Sequence, residues 1–206
     1  MKKEQMLINI LHIASSHKVL NSITTRLGKA IIDKIRMQQQ SEVSVQELDL
    51  VSDPFPHFSA LQWESYHIPA HELTPDQAQA VHRSDQAIRQ LLAADILVIS
   101  APMHNYGIPS ALKAYLDHVV RAGVTFGFSE NGAVGIFKNK KAYIAFSAGW
   151  DFSDPALKSF DFATPYLKAV LELIGFEVVG EFRVEGVGAA QEKEVRLKAL
   201  IKTMIV

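Results

Sequence analysis

Short apolar runs rich in β-branched residues alternate along this chain with stretches whose apolar residues recur at helical spacing, and little else constrains its fold as tightly. The runs predict five strands, at 7–14, 43–48, 95–100, 141–147 and 176–184. The periodic stretches predict helices from Ser22 to about Met37, over 75–92, from Pro109 to a stop at Gly123, over 160–174 and over 190–205. Strand–helix alternation implies a parallel sheet with helices on both faces, a three-layer α/β sandwich. Right-handed crossovers then favour a doubly wound, five-stranded sheet in the order 2-1-3-4-5. No repeat or linker divides the chain, so residues 1–206 read as one domain. Residues 53–75, with Pro54, Pro56, Trp63, Tyr66 and Pro69, show no clear period; long segments of this kind are usually functional or covered by a partner.

Composition removes several classes of function. There is no cysteine, which excludes disulfides, thiolate metal sites, cysteine nucleophiles and a dithiol redox pair, but not redox chemistry on a bound cofactor. A formal net charge of −1 gives no electrostatic case for nucleic acid or an acidic membrane surface. Lys2 and Lys3 before an apolar run mimic a short leader, yet Asn9 and His12 interrupt that run; it reads as the first strand of a cytoplasmic protein. No run is long enough to span a membrane.

In an open parallel sheet, ligands bind at the carboxyl edge of the strands. Three loops converge there. The first, after strand one, holds Ser15, Ser16, Asn21, Ser22 and Thr24 and lacks the glycines of a dinucleotide fingerprint or a Walker sequence. Hydroxyls and backbone N–H groups at a helix start can hold one terminal phosphate, which favours a mononucleotide. Ordinary N-capping by Asn21 or Ser22 fits the same residues. The second loop is Pro102, Met103, His104, Asn105, Tyr106, and the third is Ser147, Ala148, Gly149, Trp150.

The string PMHNYGIPS at 102–110, followed by Leu112-Lys113, Tyr115, Asp117 and RAGVTF at 121–126, resembles the signature of the FMN-dependent NADH-azoreductases, also called FMN-dependent NADH:quinone oxidoreductases. The resemblance extends to Thr74-Pro75, to Asp161 through Leu167 and to Glu185-Gly186. It implies a flavodoxin-like homodimer that binds FMN, with NADH or NADPH as co-substrate, in a ping-pong reduction of quinones and cleavage of azo compounds. Ser15, Ser22 and Thr24 match the family's phosphate loop, with Thr in place of a Ser. Pro102, Met103, His104, Asn105 and Tyr106 match the wall along the isoalloxazine ring; His104 departs from the usual aromatic Tyr or Phe. Ser147 and Gly149 match the pyrimidine side, where Trp150 replaces a second Gly and could narrow the pocket. Phe126, Trp150 and Phe162 are the implied substrate-pocket residues, with the Asp53–Tyr66 segment covering the partner subunit. Phe128, Phe152, Phe160 and Tyr166 read as packing residues. No catalytic side chain is expected, since the flavin carries the hydride.

Other chemistries fit poorly. The eight histidines show no metal-ligand spacing, and Pro69 separates His67 from His71. Ser147 lies outside a GxSxG elbow. Two alternatives remain: a flavodoxin-like electron carrier that does not turn over NADH, against which the weak net charge argues, and a ligand-binding α/β protein without flavin.

Overall fold

The computed structural model describes residues 7–18, 22–39, 41–186 and 190–206. The order of elements is β1 (Leu7–Ala14), α1 (Ile23–Gln38), β2 (Glu42–Asp49), α2 (Ala60–Ser65), α3 (Pro75–Ala93), β3 (Ile96–Pro102), α4 (Ser110–Val119), β4 (Phe126–Ser129), β5 (Gly132–Gly135), β6 (Lys140–Ser147), α5 (Thr164–Ile174), β7 (Phe176–Val184) and α6 (Ala190–Thr203). Five strands form one parallel sheet in the order β2-β1-β3-β6-β7. This is the 2-1-3-4-5 arrangement, because β4 and β5 pair only with each other, as an antiparallel hairpin.

The central strands explain the layering. In β3, Ile96 to Ala101 are all buried, as a strand covered on both faces requires. Leu11, Ile13, Leu97, Ile99, Ile144 and Phe146 pack against α3, α4 and α5 on one face. Ile10, Val98 and Ala145 pack on the other against Leu27, Ile31 and Ile35 of α1 and Leu197 of α6. The edge strand β2 is half-exposed, with Val43 and Val45 turned toward the core.

Four elements differ from the sequence expectation. Pro109 precedes α4 as its cap residue rather than opening it, and α4 ends at Val119, before Gly123. The Thr125 hydroxyl accepts from the Arg121 N–H at 2.9 Å and donates to the Val119 carbonyl at 2.8 Å, which closes the helix end from outside. Gly123 instead adopts φ +77° in the turn toward β4. The Arg121 guanidinium, just past the helix end, meets Asp85 at 2.5 Å and donates at 3.1 Å to the Ser84 hydroxyl, which itself donates to the His118 carbonyl in the last turn. Residues 158–160 form an isolated 3-10 turn, and α5 starts only at Thr164. Asp161 sets that start, accepting from the N–H groups of Ala163 and Thr164 at 3.0 and 3.1 Å and from the Thr164 hydroxyl at 2.6 Å. The 53–75 segment contains α2 and a 3-10 turn, Ala70–Glu72, each too short to display a period. The 129–132 turn is the tip of the β4–β5 hairpin. That hairpin docks against the end of α5, where a Cβ on Gly135 would lie 2.2 Å from the Gly175 backbone nitrogen.

Candidate functional site

The loops after β1, β3 and β6 meet, as the topology requires, at the carboxyl edge of the sheet. Backbone bonds fix them to one another. Ser15 is fully buried; both its N–H and its hydroxyl donate to the Ser100 carbonyl at 3.0 Å, joining the first loop to β3. The Met103 N–H donates to the Ser147 carbonyl at 2.8 Å, joining the second loop to the third. The Ala148 N–H donates to Val184 O at 3.1 Å.

Between these loops lies a cavity of about 540 Å³. Ser22 and Thr24 line one part of it. Ser22 is the N-cap of α1, accepting from the Thr25 N–H at 3.1 Å, and its oxygen lies 3.0 Å from the Thr24 hydroxyl. Capping and anion binding are compatible here, because the same helix start presents its positive dipole end to the cavity. Asn21 lies outside the described residues. Pro102, Met103, His104, Ser147 and Gly149 line the cavity further along. A Cβ on Gly149 would meet nothing within 4 Å, so its bare backbone faces open space that a flat ligand could enter.

The second loop then turns sharply. His104 and Gly107 exchange both backbone hydrogen bonds at 2.9 Å, with Asn105 at φ +48° and Tyr106 at φ +67° between them. Two successive left-handed residues make a turn of the primed type. Asn tolerates that conformation, while Tyr106 holds it at a cost of about 1 kcal/mol or more. The turn sets the Tyr106 ring against Trp150 (5.8 Å), Phe160 (5.6 Å) and Phe152 (6.4 Å). A second cavity of about 330 Å³ opens there, lined by Asn105, Tyr106, Trp150 and Phe152 and sharing Met103 and Gly149 with the first. Trp150 is thus a wall of the adjoining space and does not fill the first cavity, whose lining it does not join.

The remaining expected site residues are placed differently. Ser15 stands behind the cavity and does not line it. Phe162 is 62% exposed, held beside the turn by its N–H bond to Tyr106 O at 3.1 Å. Phe126 lines a third, apolar groove of about 490 Å³ with Trp63, Tyr66, Leu116 and Tyr166. Of the aromatics read as packing residues, Phe152 is buried, whereas Phe128 and Phe160 are exposed. Phe128 sits near the tip of the short hairpin beside Phe126, with ring centres 5.7 Å apart, and Phe160 on the surface 3-10 turn, where no layer covers them.

Arg183 anchors the loop that carries Phe160 and Phe162. It donates to the Thr164 hydroxyl (2.6 Å), Asp161 (2.8 Å), Glu181 (2.5 Å) and Glu185 (2.5 Å), and its guanidinium lies 4.7 Å from the Phe146 ring centre. Burial opposes ionisation of Asp161 and Glu181. Bonds from Thr164 and Arg183 to Asp161, and from Lys168 and Arg183 to Glu181, outweigh it and hold both carboxyls below their usual range.

Sequence reasoning missed the charged groups of the first cavity: His17, Lys18, Arg26, Lys193 and Glu194. The first two belong to the hydroxyl-rich loop and could have been found there. The last two come from α6 and carry no local signal. It also missed His12, which is buried on β1 and shares a 2.8 Å hydrogen bond with the Ser100 hydroxyl.

The parallel sheet, its strand order and a hydroxyl-capped helix start at the carboxyl edge define a doubly wound α/β protein of the mononucleotide-binding kind. The model of a family described as having a flavodoxin-like fold matches residues 8–204. An FMN-dependent NADH:quinone oxidoreductase of Herminiimonas arsenicoxydans is 39% identical over 94% of both chains. Another of that description, from Hydrogenovibrio crunogenus, is 43% identical over 74% of this chain and 77% of its own. The protein belongs to the family of FMN-dependent NADH:quinone oxidoreductases, with a flavodoxin-like fold. An FMN-dependent NADH-azoreductase of Bacillus anthracis, solved in complex with FMN, shares the fold, with a TM-score of 0.82 over 95% of this chain and 96% of its own at 22% identity.

Proposed function

We propose that this protein is an FMN-dependent oxidoreductase of quinones and aromatic azo compounds, with NADH or NADPH as electron donor. The observation that carries this reading is the continuous path from the Ser22–Thr24 hydroxyl pair, past the open face of Gly149, to the aromatic second cavity. The first end suits a phosphate, the middle a flat ring and the last a planar co-substrate. The redox chemistry is what FMN supplies when bound: hydride acceptance from the nicotinamide, then delivery of two electrons to the acceptor.

The chain's own residues bind and position. Ser22 and Thr24 receive the phosphate at the positive end of α1, and Ser15 holds their loop against β3. Pro102, Met103, His104, Asn105 and Tyr106 form one side of the ring site; Ser147 and Gly149 form the pyrimidine side. Tyr106, Trp150 and Phe152 provide an apolar wall that keeps water from the transfer. No described side chain is needed as a proton donor for hydride transfer.

Residues 1–206 act as one domain, in the cytoplasm and as a homodimer. The dimer accounts for aromatic groups that one chain leaves uncovered, among them Trp63, Phe128 and Phe162. A second copy bringing its Asp53–Tyr66 segment and Phe126 groove across the carboxyl edge would enclose the site.

The test is the visible spectrum of the protein supplied with FMN, before and after anaerobic NADH or NADPH. Bleaching, with colour returning on addition of a quinone, is the expected result. Bound flavin that ignores both nucleotides would indicate an electron carrier, and failure to bind flavin would overturn the reading.

A further inference from the structure

The two walls of the second cavity come from different loops, and both are tied to the end of β7. Tyr106, on the loop after β3, stands in a left-handed conformation (φ +67°) that a bulky residue holds only with outside support. The Phe162 N–H donates to its carbonyl at 3.1 Å, and Asp161, one residue earlier, accepts from Arg183 at 2.8 Å. Trp150, on the loop after β6, is 55% exposed and meets the Tyr106 ring at 5.8 Å. That loop is held by the Ala148 N–H, which donates at 3.1 Å to the carbonyl of Val184, next to Arg183. Further on, a Cβ on Gly186 would stand 3.0 Å from the Asp151 Cβ, so the turn after β7 lies directly against the residue beside Trp150. Arg183 binds the start of that turn through Glu185, at 2.5 Å, and Arg196 donates to the Glu185 carbonyl at 2.8 Å. One guanidinium is therefore joined to the supports of both walls.

We propose that Arg183 is a positioning residue that sets the width of the second cavity, and with it the size of the aromatic acceptor that fits. This rests on the oxidoreductase reading above. Arg183 lines neither cavity, so it acts through the residues it holds. One terminal nitrogen donates to the Thr164 hydroxyl and Glu181, the other to Asp161 and Glu185. The face of the fork lies on the Phe146 ring, 4.7 Å from its centre. Lysine keeps the charge, but it is a point charge on a flexible stem and cannot reproduce that planar fork. With lysine at this position the 160–162 loop is no longer fixed to β7, and the turn at Tyr106 relaxes away from Trp150. A wider gap forfeits close contact with a one-ring ligand and accommodates a broader one.

The experiment is equilibrium binding of two neutral quinones, duroquinone with one ring and phenanthrenequinone with three fused rings. Each is titrated into the oxidised, FMN-loaded protein without nucleotide, so that no turnover occurs, and the change in flavin absorption reports occupancy. In Arg183→Lys the ratio of the duroquinone to the phenanthrenequinone dissociation constant should rise about threefold or more, a smaller change than one misfitted methylene makes. Asp161→Asn keeps the oxygen that accepts from the Ala163 and Thr164 N–H groups and loses the charged partner of Arg183, so it should raise the ratio likewise. The double variant should go no further than the larger single change, because both break one link. A merely structural role would lower the folded or flavin-loaded fraction, which scales both signals alike and leaves the ratio unmoved. If Arg183→Lys fails to fold, Asp161→Asn decides by the same ratio. A ratio within about twofold of the parent in the single variants, or fully additive changes in the double, would overturn the proposal while leaving FMN binding intact. A parent that holds no FMN, or whose flavin neither quinone perturbs, would instead remove the functional reading beneath it and the proposal with it.

Discussion

Gly28→Ala is expected to destabilise this protein, although the same change inside a helix usually helps. Gly28 sits within α1, where alanine is favoured over glycine by about 1 kcal/mol. A Cβ there would stand 2.2 Å from the Ser100 Oγ and 2.6 Å from the His12 Nε2. Those two atoms are bonded to each other at 2.8 Å, and both side chains belong to the neighbouring central strands β1 and β3. Relief requires a displacement of about 1 Å by α1 or by the pair. Overpacking of this kind costs about 1–3 kcal/mol. Breaking the His12–Ser100 bond in a buried site adds about 1–2 kcal/mol. Against the gain in propensity, the net loss is about 2–3 kcal/mol. For a chain of 206 residues this lowers the melting temperature by about 5–10 °C. The measurement is a thermal melt of flavin-free protein, with urea unfolding to give the free energy. Gly28→Ala/Ser100→Ala should lose about 1 kcal/mol less than the sum of the single changes, since removing the hydroxyl removes the nearest clash. A Gly28→Ala protein as stable as the parent, or more so, would refute the argument that this helix is held at its distance by the His12–Ser100 pair.

Arg183→Met should cost about 2–3 kcal/mol, because Asp161, Glu181 and Glu185, all mostly buried, lose their shared cation; the value is reduced from that of a fully buried pair by partial solvation. Urea midpoints measure it. The same cluster predicts a pH dependence. Asp161 and Glu181 are held below the usual carboxylate range, so in acid the unfolded chain binds more protons than the fold. Their contribution is present above about pH 4 and is lost as pH falls through their lowered values. Urea midpoints from pH 6 to 3 should therefore fall less steeply in Arg183→Met than in the parent. Ser22→Ala/Thr24→Ala should weaken FMN binding about tenfold more than riboflavin binding, while loss of the cap costs about 1 kcal/mol of stability. Equal losses for the two flavins in a fluorescence titration would separate the hydroxyls from the phosphate.

The alternation of patterns fixed the sheet because each central strand is covered on both faces, so its residues are apolar without interruption, as Ile96 to Ile99 are. Element ends were harder to read where a side chain distant from the helix closes it. Thr125 ends α4 from six residues beyond Val119, so the glycine rule pointed to Gly123 instead. Asp161 opens α5 three residues before Thr164, and the aromatic run at 160–162 hid that boundary. The hairpin escaped because its strands are only four residues long and use three glycines.

Within the candidate site, legibility followed sequence locality. Ser22 and Thr24 lie two residues apart at a helix start, and 102–106 is one continuous turn, so each could be read as a unit. Lys193 and Glu194 reach the same cavity from the far end of the chain, through the packing of α6 on α1 rather than through a motif. His17 and His104 are 87 positions apart, and neither alone separates a ligand-binding histidine from an exposed one. Their placement across one gap, with ring centres 5.4 Å apart, is something only the folded arrangement of two loops can produce. The aromatic residues pose the converse problem. Apolarity suggested burial for Phe128 and Phe160, yet a surface hairpin and a surface turn have no layer above them. Exposed rings beside an open cavity are stable in water only at the cost of unburied apolar area, and a second copy of the chain would remove that cost. The same pressure that made these positions look like core is therefore the reason to expect a partner over them.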